Sequence, residues 1–107
     1  MLSFHLNYVN EIDLTHNLAL THLGFHHNSI SSIDLSHNTL LHDITCHNNN
    51  LTALDVSNCP DIVVVQCEDN NLTSLNLNNG TNTISSGLYT EGNPNLTCIL
   101  VDDSMWS

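Results

Sequence analysis

A period of 21 residues constrains this chain more than any other feature. Sliding the sequence by that amount lays Ile12-Asp13-Leu14 over Ile33-Asp34-Leu35, Leu54-Asp55-Val56 and Leu75-Asn76-Leu77. The same shift superposes Leu2-Ser3-Phe4 on Leu23-Gly24-Phe25, Ile44-Thr45-Cys46 and Val65-Gln66-Cys67. A chain that repeats itself at this interval winds into coils, because one repeat cannot bury its apolar side alone and must stack on the next. Residues 50–70 are one such coil.

Each coil carries one half-phrase twice. Val9-x-x-Ile12-x-Leu14-x-x-Asn17 recurs at Ile30 and Leu51, and Leu20-x-x-Leu23-x-Phe25-x-x-Asn28 recurs at Leu41 and Ile62. The spacing L-x-x-L-x-L-x-x-N/C resembles the leucine-rich repeat. Apolar residues alternate within each half-phrase, which is strand periodicity with one face inward. The expected fold is a leucine-rich-repeat solenoid, β-rich, with two short parallel strands per coil and little or no α-helix. Neighbouring coils should stack about 4.8 Å apart. Asn7, Asn28, Asn49 and Asn70 form one column and Asn17 and Asn38 another, each where the chain leaves a strand. Their side chains can satisfy backbone groups of their own and the next coil. Cys59 and Gly80 take places in the second column.

The whole chain, residues 1–107, is read as one domain, with regular coils over 2–80, an irregular coil over 81–95 and a final repeat-like segment over 96–107. Leu88 and Asn93 fall two residues late relative to Val65 and Asn70, so the fourth coil is expected to bulge rather than stop.

The charge is one-sided. There are 11 Asp and Glu, no Lys or Arg and a formal net charge of −11, with 8 His as the remaining source of positive charge. Nucleic acid and anionic lipid are excluded as partners by this balance, since both need cationic contacts. The longest wholly apolar run, Ile62 to Val65, is far short of the roughly 20 residues of a membrane helix. The first residues lack the basic start and apolar run of a secretion signal.

Leu54-Asp55-Val56-Ser57-Asn58, the junction Cys67-Glu68-Asp69-Asn70-Asn71-Leu72-Thr73-Ser74-Leu75 and the ending Asn93-Pro94-Asn95-Leu96-Thr97-Cys98-Ile99 resemble the leucine-rich-repeat regions of secreted and cell-surface proteins of Bacteroidetes-type bacteria. The likeness covers essentially the whole chain. It implies an extracellular or cell-surface location and a role in recognition, adhesion or scaffolding, without catalytic residues. The chain departs from that family in having His, Ser or Asn where Lys is common, and in lacking a further Cys beyond Asp103 that would partner Cys98.

Three sets of residues are candidates for chemistry. Asp13, Asp34 and Asp55 point outward from successive coils, and such a column of like charges seeks cations; with Thr15, Ser36 and Ser57 it could hold calcium, or stand as a solvated acidic stripe. His5, His26, His47 and Glu68 form a second outward column able to ligate zinc or copper, to act as a pH-switched contact, or to be inert surface. Ser36-His37 and His42-Asp43 supply the letters of a hydrolytic triad with no elbow or oxyanion donor signalled, so the chain is read as not an enzyme. Cys46 and Cys67 replace Phe25 inside the coil and are favoured as free thiols, although stacked coils also permit a disulfide. Asn50, Asn71, Asn79 and Asn95 fit the N-glycosylation pattern, and Ser104 lies in a short O-glycosylation-like triplet.

Terminal coils of a solenoid expose apolar stack and strand edges unless capped. No polar cap is evident, which makes Leu2 and Phe4 at one end and Leu96, Ile99 and Val101 at the other an expected assembly surface. The expected function is a protein-contact module that stacks head to tail on itself into a filament or surface layer, or else a ligand- or metal-binding adhesin module cut from a longer repeat protein. Expected partners are copies of itself or another protein.

Overall fold

The structure is a computed structural model that describes residues 1–3, 10–80 and 87–101. Eight short strands make up its regular structure: β1 (Leu2–Ser3), β2 (His22–Gly24), β3 (Asp43–Thr45), β4 (Ala53–Asp55), β5 (Val64–Gln66), β6 (Ser74–Asn76), β7 (Leu88–Tyr89) and β8 (Cys98–Leu100). They form two sheets, one ordered β1-β2-β3-β5-β7 and one ordered β4-β6-β8, and every pairing is parallel. Among the described residues there is no helix. The molecule is a β-solenoid of coils about 21 residues long, as the period requires.

Strand register follows the sequence period. Leu2 pairs with Leu23, Leu23 with Ile44 and Ile44 with Val65. The next step, Val65 to Leu88, arrives two residues late, and on the second sheet Leu75 pairs with Ile99, three late. The irregular coil thus lengthens between strands while the strands stay in register.

The core is the space between the two sheets, filled by the inward residues of both half-phrases. Phe25, Ile30, Leu41, Ile44, Leu51, Ile62, Val65 and Leu72 are completely buried. Burying one such side chain stabilises by about 1.5–3 kcal/mol, and stacking makes each coil supply the lid for its neighbour. Cys46 and Cys67 sit beneath Phe25 in the same row and are equally buried.

The expectation of two strands in every coil needs correction. The second sheet has three strands, and the segments 12–14 and 33–35 stand outside its ladder. Ile12 and Ile33 are only half-buried there, whereas Leu54 and Leu75 in the same row are sealed in. Packing of Leu14 and Leu35 and the amide of Asn38, which donates to the carbonyls of Leu14 (3.2 Å) and Asn17 (3.0 Å), tie these coils together instead.

The asparagine columns form ladders. Asn49 Nδ2 donates to the Phe25 carbonyl one coil back (2.9 Å) and to Cys46 of its own coil (3.1 Å), while its Oδ1 accepts the Ile30 amide (3.1 Å). Asn70 repeats the pattern with Cys46, Cys67 and Leu51. Asn93 continues it two residues late, accepting the Leu72 amide and donating to the Cys67 carbonyl. The cross-coil bonds run to the preceding coil rather than the following one. In the second column Cys59 Sγ donates to the Asn38 carbonyl (3.5 Å), and Asn79, not Gly80, takes the next place by donating to the Cys59 carbonyl (3.1 Å). Gly80 turns the chain at φ 86°, so the side chain that reaches back is the one before it.

Candidate functional site

Two outward surfaces carry the titratable residues. On the side of β4 and β6, the aspartate column has a structural task. Asp13 Oδ1 accepts from the Thr15 amide (3.0 Å) and hydroxyl (2.7 Å), and Asp34 Oδ1 accepts from the Ser36 amide (2.9 Å) and hydroxyl (2.6 Å). Asp55 Oδ1 takes the Ser57 amide (2.8 Å), and the neutral Asn76 Oδ1 takes the Asn78 amide (3.0 Å). Each side chain closes a local turn as the chain leaves the strand position. The Thr15 amide first, then its hydroxyl, hold the Asp13 carboxyl below the ordinary 3.8; for Asp34 the Ser36 hydroxyl leads and the amide follows. The hydroxyls proposed as calcium ligands at Thr15 and Ser36 already point their protons at these carboxylates. Between Asp34 and Asp55 lies a shallow depression of about 270 Å³, also lined by Ser36 and Asn58.

The triad letters fall in the wrong order. Ser36 Oγ contacts His37 Nδ1 at 3.2 Å but gives its short bond to Asp34, so the carboxylate holds the hydroxyl rather than orienting the imidazole.

The second surface is the outer face of the five-stranded sheet. Past each strand the ladder runs on through one more residue: His27 N donates to His47 O (3.0 Å), Asn48 N to Glu68 O (3.0 Å) and Asp69 N to Glu91 O (2.8 Å). These bonds align His26, His47, Glu68 and Glu91 in one row. His5 lies outside the described residues. The next position turns the chain through the left-handed region at His27 (φ 58°), Asn48 (φ 58°), Asp69 (φ 54°) and Gly92 (φ 77°). His, Asn, Asp and Gly are the residue types that tolerate this conformation best.

The His26 and His47 rings stack with centroids 4.7 Å apart and planes 12° from parallel, and His27 meets both edge-on at 5.4 and 5.3 Å. His47 Nδ1 and Glu68 Oε1 are buried with no hydrogen-bond partner. Toward the strand starts, His22 Nε2 lies 3.4 Å from Asp43 Oδ2, its Nδ1 lies 2.9 Å from Thr21 Oγ1, and its ring stacks on His42 at 6.1 Å. Among the described residues no three His, Cys, Asp or Glu converge in a metal-holding arrangement. Face-to-face stacking explains this for His26 and His47, since their ring nitrogens run side by side instead of meeting at a point.

Glu91 was not among the sequence candidates. The two-residue lag hides it, and Asn93 falling equally late was the available signal.

All four cysteines are free. Burial drives the thiols of the three buried ones up: Cys46 well above the ordinary 9.0, Cys59 to about 11 and Cys67 to about 12, with the neighbouring carboxylates adding to the effect. Cys98 is exposed.

Of the sequon asparagines, Asn50, Asn71 and Asn95 are exposed. Asn79 is half-buried, with the amide nitrogen that a glycan would occupy bonded to Cys59. Ser104 and Phe4 lie outside the described residues.

Among the remaining end residues, Leu2, Leu96 and Val101 are half-buried, whereas Ile99 is 45% exposed and Leu100 51% exposed. No described helix is long and apolar enough to cross a membrane. In comparison with known proteins, no family model, curated protein or solved structure matches the chain.

Proposed function

We propose that this solenoid is a non-catalytic extracellular protein-contact module that stacks head to tail on copies of itself. The observation that carries the reading is Ile99. It occupies the inward row of the second sheet with Leu54 and Leu75, which are 2% and 1% exposed, yet it is 45% exposed itself. The apolar stack therefore opens onto a surface at β8, the outermost strand of its sheet among the described residues. At the opposite edge, β1 presents Leu2, half-buried, in the row of Leu23 and Ile44. A second copy stacked in phase would set β1 over β7 and Ile12 over Ile99, extending the ladder of the five-stranded sheet and the hydrophobic row at β8.

The L-x-x-L-x-L-x-x-N phrase and its asparagine ladder support membership of the leucine-rich repeats. Resemblance to secreted bacterial arrays supports an extracellular or cell-surface place, and the exposed sequon residues Asn50, Asn71 and Asn95 are compatible with it.

Negative-stain microscopy of the chain tests the assembly. Fibres whose width matches one solenoid are expected, and Ile99→Lys, which puts a charge in the stacking row, should disperse them with the circular dichroism unchanged. Dispersed monomers of the unsubstituted chain at every concentration would sink the reading.

A further inference from the structure

The outer face of the five-stranded sheet has a pattern that head-to-tail stacking leaves unused. Among the described residues its last row reads His26, His47, Glu68, Glu91, two imidazoles followed by two carboxylates. Its middle row reads Ser3, Gly24, Thr45, Gln66, Tyr89, aligned by the strand register. The charge row changes sign between the coils of β3 and β5.

Turned end for end about that point, the coils of β2, β3, β5 and β7 complement themselves and β1 overhangs. His47 meets Glu68 and His26 meets Glu91. Thr45 meets Gln66, whose side chains already bond one another within the molecule at 3.3 Å. Gly24 meets Tyr89. Gly24 has no side chain, and together with Ser3, Thr45 and His26 it lines a depression of about 200 Å³; Tyr89 is an aromatic side chain 42% exposed. A knob and a hollow thus occupy mirror positions about the same centre as the charge pattern, and the two observations are independent.

We propose that this face is a self-association surface on which two copies lie face to face with solenoid axes antiparallel, closing a two-fold dimer when the imidazoles are protonated. The partner is a second copy because the complementarity is isologous: each contact occurs twice, and the contact closes rather than propagates. Four imidazolium–carboxylate pairs and two Tyr89–Gly24 contacts result.

The pH window follows from the groups present. Imidazoles are the side chains that gain charge between about pH 8 and 5. Without charge on the imidazoles, two molecules of formal net charge −11 repel. The His26 and His47 rings stack 4.7 Å apart with His27 against both, so positive charge is crowded there and the carboxylates of a second copy relieve that crowding. His22 is committed to Asp43 on the same face. Beneath the row, the Cys46 and Cys67 thiols stay neutral throughout the window and do not compete. Asp69, following Glu68, adds negative charge at the carboxylate end.

Sedimentation velocity of the Ile99→Lys chain, in which end-to-end stacking is blocked, is the test. A dimer at about pH 5.5, with self-association at least roughly tenfold tighter than at about pH 8, is expected. Glu68→Gln/Glu91→Gln and, separately, Tyr89→Ala should each remove the acid dimer. His26→Glu/His47→Glu and Glu68→His/Glu91→His should each fail to dimerise alone but form a heterodimer when mixed at about pH 5.5. Equal association at both pH values, a dimer that survives both the Glu and the Tyr substitutions, or no heterodimer from correctly folded variants would overturn the proposal. Head-to-tail stacking is judged separately by fibres of the unsubstituted chain, so either idea can fail while the other stands.

Discussion

Asn70 shows how single side chains hold one coil to the next. Its amide nitrogen donates to the carbonyls of Cys46, Cys67 and Glu68, and its oxygen accepts the Leu51 amide. All three carbonyls have a second donor, Asn49 for Cys46, Asn93 for Cys67 and the Asn48 amide for Glu68, so truncation leaves Leu51 N–H as the buried group most fully stranded. Asn70→Ala is expected to cost about 2–3 kcal/mol, read as a lowered urea midpoint with unchanged slope. The aspartate column differs in kind. Its oxygen is needed and its charge is not, because Asn76 performs the same bond as Asp34.

At the scale of strands and their connections, the row Phe25, Cys46, Cys67 places two thiols in the core just past β2, β3 and β5. Their ionisation is suppressed in the fold, so the folded pKa lies above the unfolded 9.0. Stability is then fully present below about pH 9 and falls as pH rises toward the folded values, about 11 for Cys59 and about 12 for Cys67. A thermal midpoint that declines between these limits, with Cys46→Val/Cys59→Val/Cys67→Val losing much of the decline, is the expected result; an identical decline in the substituted chain would contradict it. Most of this architecture was legible, since a strict period predicts register without any knowledge of the coordinates. The lag at Leu88 and Asn93 was equally visible, and both residues pair where the lag puts them. Less could be read where several residue types serve one geometry. Sequence spacing assigned Gly80 to the ladder, but the turn there makes Asn79 the donor. The turn-closing role of the outward aspartates was not read, although Thr15, Ser36 and Ser57, recurring two residues after Asp13, Asp34 and Asp55, were the available signal. A strand was expected at 12–14 and 33–35 because apolar alternation marks an inward face, and an inward face does not require a ladder.

For the molecule as a whole, a net charge of −11 without a single Lys or Arg means that self-repulsion opposes folding. Raising sodium chloride from about 0.02 to about 0.2 M shortens the screening length severalfold. The thermal midpoint should therefore rise with salt, and a fall would show that the few imidazole–carboxylate contacts, such as His22 with Asp43, outweigh the repulsion. The late arrivals of β7 and β8 carry a different consequence. Two or three additional positions are absorbed between strands while Val65 still meets Leu88 and Leu75 still meets Ile99. What the architecture preserves is a place in the stack, not a count along the chain. In genetic terms, such a molecule is open to slippage and unequal exchange: a whole coil can be gained or lost by duplication, and a few codons can be inserted in a connection, with neighbouring coils still finding their partners.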